Sequence, residues 1–408
     1  MVAGQRKLSG NGATAMMLGS EAPSAEAAFI SAFGSPAGAA WSAPGRVNLV
    51  GEHTDYNGGL VLPFAIDRRT TCSARLTTGS TIRVTSTHST DVISIELDAL
   101  DPSALDGWSA YPLGVAWALH EIAVAAGAGA ASALAGCDLA IASDVPIGAG
   151  LSSSAAIECA VAFALNELWG LELEPMALVL ACQRAENVAV GAPTGIMDQT
   201  ASLFGVEDHA VLLDCLTQAV QSVELGFAEA GLSIMVIDSK VEHAHATGGY
   251  KERRADCDQG ALELGVTTLR EVTSADLPRA QSLLDDRVFR RVRHVVTENE
   301  RVLATVNALA ADGPIAIGRI LLASHASMRD DFEISVPEID VAVQAAMDAG
   351  ALGARLTGGG FGGASIALVP TAQWDAIAQA VQTALAARSM PVPHIFAVRP
   401  SDGARRDT

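Results

Sequence analysis

An α+β fold is predicted, on three observations. Strand-like and helix-like segments are interspersed without the regular alternation that builds a parallel βαβ sheet. Short strand runs separated by Gly/Asn turns crowd residues 46–86 and read as a mostly antiparallel sheet. A second strand-rich stretch, at 210–238, interrupts the helices. The chain has 408 residues, and domains usually run to ~100–200 residues, so two domains around separate cores are expected. The division reads as an N-terminal extension at 1–25, an N-terminal domain at 26–215 and a C-terminal domain at 216–408.

The elements follow in order. Residues 26–33 form a short helix, and strand runs occupy 46–50, 59–66, 70–77 and 81–86. A helix at about 110–126 ends at Gly127, and AVAAGAGAASALAG at 123–136 reads as a helix end and loop. Residues 138–143 are a strand, followed by the turn DVPIGAG and a long helix at about 152–169. Proline is favoured at the first helical position, so Pro175 opens the next helix, which stops near Gly191. Helical patterns dominate 247–264, 284–310, 314–329 and 336–349. Strands return at 353–356 and 364–369, then a helix at 371–388 and a last strand at 393–398.

Composition excludes several classes. There are 26 Lys+Arg against 46 Asp+Glu, a net charge of −20. Such a chain gains no counterion-release affinity for nucleic acid, and an anionic membrane surface repels it. Half the residues are hydrophobic, ample for sizeable cores. Cys72, Cys137, Cys159, Cys182, Cys215 and Cys257 form no CxxC pair and no zinc spacing, and read as reduced core thiols of a cytoplasmic protein. The first residues lack a continuous apolar stretch, so no secretory signal is expected. Apolar runs elsewhere are too short or interrupted to span a bilayer.

The strongest local signal is PIGAGLSSSAAIECAVAFALNELWG at 146–170. A strand ends, glycines let backbone approach a ligand, and serines open an apolar-periodic helix. The first N–H groups of a helix lack internal partners and the macrodipole makes that end positive, so the junction suits an anion. Gly148, Ala149, Gly150, Leu151, Ser152 and Ser153 would offer N–H groups to phosphate, and a serine hydroxyl would suit Mg²⁺. An ordinary serine-capped turn remains the alternative. No GxxxxGK[ST], no protein-kinase motif set and no dinucleotide fingerprint occurs.

A second loop, LTGGGFGGASIALV at 356–369, places five glycines in six residues before a strand. So much glycine costs folding entropy, which a close approach of backbone to ligand would justify and a tight hairpin would not require. The separation of the two loops in sequence implies a site closed between two lobes.

Residues 46–57 gather Arg46, Asn48, Glu52, His53, Thr54, Asp55, Tyr56 and Asn57. Carboxylates and amides at this spacing suit sugar hydroxyls, although a solvated turn uses the same residues. Arg46 follows Pro44–Gly45 at a strand start, where a long cation is not needed. In GAPTGIMDQTASLFG at 191–205, Asp198 is the lone acid, a candidate base or metal group or else a helix N-cap. Glu186 lies late in the preceding helix, where solvent exposure is the default.

Taken together, GRVNLVGEHTDYNGG at 45–59, PIGAGLSSSAA at 146–156 and LTGGGFGGAS at 356–365 resemble the galactokinases, members of the GHMP small-molecule kinase family. GIMDQ at 195–199 and SMRDDFEISVPEID at 327–340 are also similar, and the resemblance spans about 26–398. The first segment separates galactokinases from mevalonate and homoserine kinases. The resemblance implies a two-lobed α+β GHMP kinase fold with the site between the lobes, ATP as co-substrate, Mg²⁺ as cofactor, and galactose phosphorylated at its C1 hydroxyl. It implies Asp198 as the catalytic carboxylate and Arg46 as the neighbouring cation. Glu52, His53, Thr54, Asp55, Gly195 and Tyr250 match the sugar side, and Ser154 and Glu186 the Mg²⁺ ligands. Gly148 to Ser154 and Trp108 match the ATP side, with Trp108 against adenine. The partners implied are the sugar and ATP, with no nucleic acid or membrane, in a monomer or weak homo-oligomer. Thr194 departs from a common Cys, Gly58–Gly59 from a polar-Gly pair, and the extension has no counterpart. Other sugars of the family (N-acetylgalactosamine, arabinose) stay open. A non-catalytic galactose sensor is disfavoured by the intact serine loop.

Overall fold

The computed structural model describes residues 24–89, 91–127, 134–242 and 246–407. Most of the extension and part of the 123–136 tract lie outside them. Ser24 caps the first helix, α1 (Ala25–Phe33), its hydroxyl accepting from Ala27 N, and Gly34 closes it in the left-handed conformation. The strands β1 (Ala39–Asn48), β2 (Leu60–Val61), β3 (Pro63–Leu76), β4 (Thr81–Ser86) and β5 (Ile93–Glu96) come next. Helix α2 (Ala110–Ala125) and strand β6 (Cys137–Ser143) lead into α3 (Ser153–Leu168), α4 (Pro175–Ala185) and α5 (Met197–Phe204). The hairpin β7 (His209–Asp214) and β8 (Ala219–Glu224) precedes β9 (Leu232–Glu242). Helices α6 (Ala246–Leu264), α7 (Leu277–Leu283), α8 (Asp286–Asp312), α9 (Gly318–Asp330) and α10 (Pro337–Asp348) follow. The chain closes with β10 (Gly353–Thr357), β11 (Gly362–Pro370), α11 (Trp374–Ala386), β12 (His394–Val398) and β13 (Arg405–Arg406).

Among the described residues the first sheet has the order β13-β1-β3-β6-β4-β5, antiparallel except where β4 runs parallel to β6. A second sheet, β10-β11-β9-β12, is antiparallel throughout, and a small sheet joins β2, β7 and β8. The α+β expectation therefore holds. The short elements β5, α7 and β13 were not anticipated, being too brief to carry a periodic pattern.

Two large hydrophobic clusters form, one in each lobe. One packs the first sheet against α2, α3 and α4, around Trp41, Leu113 and Leu165. The other packs the second sheet against α6, α8, α10 and α11, around Met235, Val292 and Phe332. The expectation that they would be separate needs correction. A third cluster joins Val47, Leu49 and Leu151 of the first lobe to Val236, Val302 and Ile366 of the second. The boundary read at 215/216 falls in the turn of the β7–β8 hairpin, whose strands pair along their whole length. The site residues sit above this shared core.

Candidate active site

Arg46 is the hinge of the site. The register of β1 against β3 shifts between Pro44 and Arg46, a bulge that re-aims the side chain. Arg46 Nε donates to Asp198 Oδ1 at 2.8 Å and Nη2 to Oδ2 at 2.7 Å, a two-pronged pair across 152 residues of sequence. Its Nη1 donates to the Gly150 carbonyl at 2.6 Å, and its backbone N–H to the Leu151 carbonyl at 3.0 Å. One guanidinium thus fixes both the acid and the glycine-serine loop. Arg46 is 5% exposed and Asp198 26%, so the free edge of the pair is the carboxylate. Asp198 stands second in α5, after an Ile196 cap, so it is no N-cap. Ser152 Oγ also donates to Asp198 Oδ2.

The loop turns as its sequence requires. Gly148 and Gly150 are left-handed, and Ser152 holds the same conformation as the cap of α3. The second glycine loop lies directly on the first: a Cβ on Gly358 would fall 2.9 Å from the Gly150 carbonyl oxygen and 3.2 Å from its Cα. The contact leaves no room for a side chain. Gly358 and Gly363 therefore serve close backbone approach to the first loop, while Gly359 lies against Tyr250 and Gly360 against Ile334.

A cavity of about 230 Å³ opens between them, lined by Arg46, Glu52, His53, Asp55, Thr194, Gly195, Met197, Asp198, Tyr250, Gly358 and Gly359. Most residues expected on the sugar side are here. Burial, and then the Asp198 charge, raise the Asp55 carboxyl to about 6. Gly195 is held to glycine by the same group, since a Cβ there would come within 2.0 Å of Asp55 Oδ2. Burial raises Glu52 against the pull of Arg355 and Arg46. Its Oε1 accepts the Gly358 N–H at 2.7 Å and meets Arg355 Nη2 at 3.3 Å, tying the motif to the glycine loop. Tyr250 and Tyr56 flank His53 as an aromatic wall, with ring centroids 5.0 and 5.8 Å from it.

Two expectations change. His53 lines the cavity, but burial lowers its imidazole to about 3, so the ring is neutral. Nε2 lies 3.1 Å from the Gly359 carbonyl, which can only accept, so Nε2 carries the hydrogen. Nδ1 then accepts from the Tyr56 hydroxyl at 2.8 Å, leaving no ring nitrogen for a ligand. Thr54 is fully buried away from the cavity, its hydroxyl shared between the Gly51 and Leu60 carbonyls at 2.9 and 2.7 Å. Trp108, expected on the ATP side, is half-buried against the first core.

Glu186 is buried, contrary to its default, where α4 gives way to a wider π-helical turn. Its Oε2 accepts from the Thr194 hydroxyl at 2.7 Å and Gln199 Nε2 at 2.8 Å, and the Ser154 side chain is in hydrogen-bonding reach. Burial, then the Asp198 charge, raise its carboxyl.

Helix α8 supports the motif from behind, which sequence reasoning missed. Glu298 Oε1 accepts the Gly51 N–H at 3.0 Å, Asn299 Oδ1 accepts the Leu60 N–H at 2.8 Å, and His294 Nε2 donates to the Glu52 carbonyl at 3.1 Å. The available signal was the polar residues His294, Glu298 and Asn299 within two turns on the buried side of an amphipathic helix.

A galactokinase galactose-binding signature matches residues 27–76, the GHMP kinase N-terminal domain matches 110–206, and the GHMP kinase C-terminal domain matches 306–387. Galactokinase of Streptomyces coelicolor is 46% identical over 384 residues, covering 93% of this chain and 96% of its own. Galactokinase of Mycobacterium tuberculosis is 42% identical over 364 residues, 89% of this chain and 98% of its own. Lactococcus lactis galactokinase complexed with galactose matches in structure with a TM-score of 0.86 at 31% identity, over 93% of this chain and 98% of that one. A mevalonate kinase at 17% identity, with a TM-score of 0.63, over 89% of this chain and 99% of that one, shares the fold. The chain belongs to the galactokinase family of the GHMP small-molecule kinases.

Proposed function

We propose that the protein transfers the γ-phosphoryl group of ATP to the C1 hydroxyl of α-D-galactose, releasing galactose 1-phosphate and ADP. The carrying observation is the Arg46–Asp198 pair, bonded to the Gly150–Ser152 loop on one side and facing the Asp55–Tyr250 cavity on the other. In this reading the C1 oxygen attacks phosphorus as the bond to the ADP oxygen breaks, and the C1 proton passes to Asp198. Arg46 steadies charge on the moving phosphoryl; such transfer depends on positioning and neutralisation more than on covalent chemistry. Asp55 and Glu52 accept sugar hydroxyls, and Tyr250 packs against the ring. N–H groups of 148–153 hold phosphates at the start of α3.

Ser154 and Glu186 suit Mg²⁺: both offer hard oxygen, and the mutual pressure of Glu186 and Asp198 is what a cation would relieve. When bound, the ion neutralises charge on the phosphates. Thr194 and Gln199 orient the Glu186 carboxylate from the other side. We assign the protein to the cytoplasm, supported by six free cysteines, and infer a monomer or weak homo-oligomer. No helix of the described residues is long and apolar enough to cross a membrane.

Initial rates with Mg–ATP on galactose, galactosamine, N-acetylgalactosamine, arabinose and glucose test the assignment. Galactose is expected to give the highest kcat/KM, and a clear preference for another sugar would overturn it.

Asp55 adds a pH dependence. Its carboxyl sits near 6 in the folded protein against an ordinary 3.8. Galactose KM should therefore rise as pH falls through about 6 and the acceptor is protonated. The folded state holds this proton more tightly than the unfolded chain, so Asp55 costs stability as pH climbs from about 4 to about 6. Asp55→Asn should thus melt higher than wild type above pH 6 and equally below pH 4. Its galactose KM should rise about tenfold or more, the loss of a hydrogen bond to a charged acceptor worth ~1.5–3 kcal/mol. A KM independent of pH between 5 and 7 would remove the ionised Asp55 from sugar binding.

A further inference from the structure

The strand β9 leaves its regular course beside the phosphate loop. Gly362 faces Glu242 and Ala364 faces Asp238, so residues 239–241 stand opposite Gly363 alone. Lys240, at the crest, has φ +57°, uncommon for a residue with a side chain. The bulge is closed by its own polar groups. Lys240 N–H donates to Asp238 Oδ1 at 3.0 Å, Ser239 Oγ donates to the Gly363 carbonyl at 2.7 Å, and Val241 N–H donates to Ser239 Oγ at 3.3 Å. Gly363 in turn rests on the phosphate loop, where a Cβ would stand 3.7 Å from Gly150 N and 3.8 Å from the Gly148 carbonyl oxygen.

Bulges beside active sites re-aim side chains, and this one aims Lys240. Its Nζ lies 2.6 Å from Asp238 Oδ2, an oxygen with no hydrogen-bond partner besides it. Asp238 is 4% exposed and Lys240 50%. A cavity of about 310 Å³ lies between them and the loop, lined by Ile147, Gly148, Asp238, Lys240 and Val241. An ammonium carries three donors, so Lys240 can keep Asp238 and still reach into this space.

We propose that Lys240 is a ligand to the polyphosphate chain of the nucleotide, presented by the β9 bulge and steadied by Asp238. This rests on the reading of 148–153 as the ATP loop. Asp238 is buried and Lys240 half-exposed, and a flexible lysine stem can reach a neighbouring carboxylate without strained backbone. Strain of this kind is found at functional sites; His53, Ser152 and Phe361 of the same cleft share the left-handed conformation, as do Glu172, Asp208, Gln218, Glu333 and Ser389 outside its motif and loops. In a chain of charge −20, an unburied cation beside the loop also draws the anion toward it.

Calorimetric titration of the full chain with ATP, ADP and adenosine tests this. Lys240→Ala should weaken ATP about tenfold, one charge-assisted contact, with galactose KM and adenosine affinity unchanged and a shallower dependence of ATP affinity on salt. Lys240→Arg should restore most of the loss. If Lys240→Ala misfolds, Lys240→Gly relieves the backbone while removing the same charge and should give the same result. ATP affinity within twofold of wild type in a folded variant, or an equal loss for adenosine, overturns the role of Lys240. Wild type that binds no ATP would sink the nucleotide reading itself, and Lys240 with it.

Discussion

Asp198→Asn is expected to leave a folded protein whose kcat falls by ~10²–10⁴-fold, the usual worth of a positioned acid-base group. The amide keeps the shape of the carboxylate but can accept at only one end. Arg46 would retain one of its two bonds to residue 198, together with its bond to the Gly150 carbonyl at 2.6 Å. The loop therefore stays placed, while the buried guanidinium loses its counter-charge and the sugar hydroxyl its acceptor. Galactose KM should change much less than kcat, because Asp55, Glu52 and Tyr250 still line the cavity. Single-turnover rates beside thermal melting check this. Rates within tenfold of wild type in a folded variant would remove Asp198 from the chemistry.

The second large effect falls on stability. Glu298→Ala should cost ~3–5 kcal/mol, the usual result of breaking a buried ion pair by removing one member. Glu298 is wholly buried; its Oε1 accepts from Gly51 N–H at 3.0 Å and Ser324 Oγ at 2.6 Å, and its Oε2 from Arg301 Nε at 2.5 Å. Burial alone would raise its carboxyl, but Arg301, His294 and Arg355 outweigh burial and hold it at about 2. A depressed carboxyl stabilises the fold fully above its ordinary 4.5, and that contribution is lost as pH falls toward 2. The gap between wild type and variant in urea midpoint should accordingly be widest near pH 7 and narrow below pH 4. Galactose KM should rise as well, since the Gly51 backbone bears the sugar motif. A loss under ~1 kcal/mol, unchanged by pH, would refute the assignment; neutral polar substitutions away from buried networks stay within about that range.

The parts of this architecture that were legible in the sequence are those written in short stretches. Glycine spacing, the serine run at the start of α3 and proline at Pro175 act locally, so α3, α4 and the two loops could be placed. Arg46 stood out because its strand start gave it no structural reason to be there, and it meets Asp198 across 152 residues of sequence. Thr54 was misread because polarity does not say which way a side chain points. Thr54 turned inward to hold its own turn. The support from His294, Glu298 and Asn299 was hidden for another reason. These side chains bond backbone atoms some 240 residues away, and backbone partners leave no mark in sequence.

The pairing of β13 with β1 has a consequence for how the protein is made. Trp41 and Ser42 meet Arg406 and Arg405, so one edge of the first sheet is supplied by nearly the last residues of the sequence. On the ribosome, synthesis runs from the amino end, and the first lobe emerges with that edge bare. Its backbone groups stay unpaired until the second lobe has been translated and folded, and an exposed edge is a template for association with another chain. The nascent protein is thus most vulnerable to aggregation during elongation, and deletion of the final strand would make that temporary state permanent.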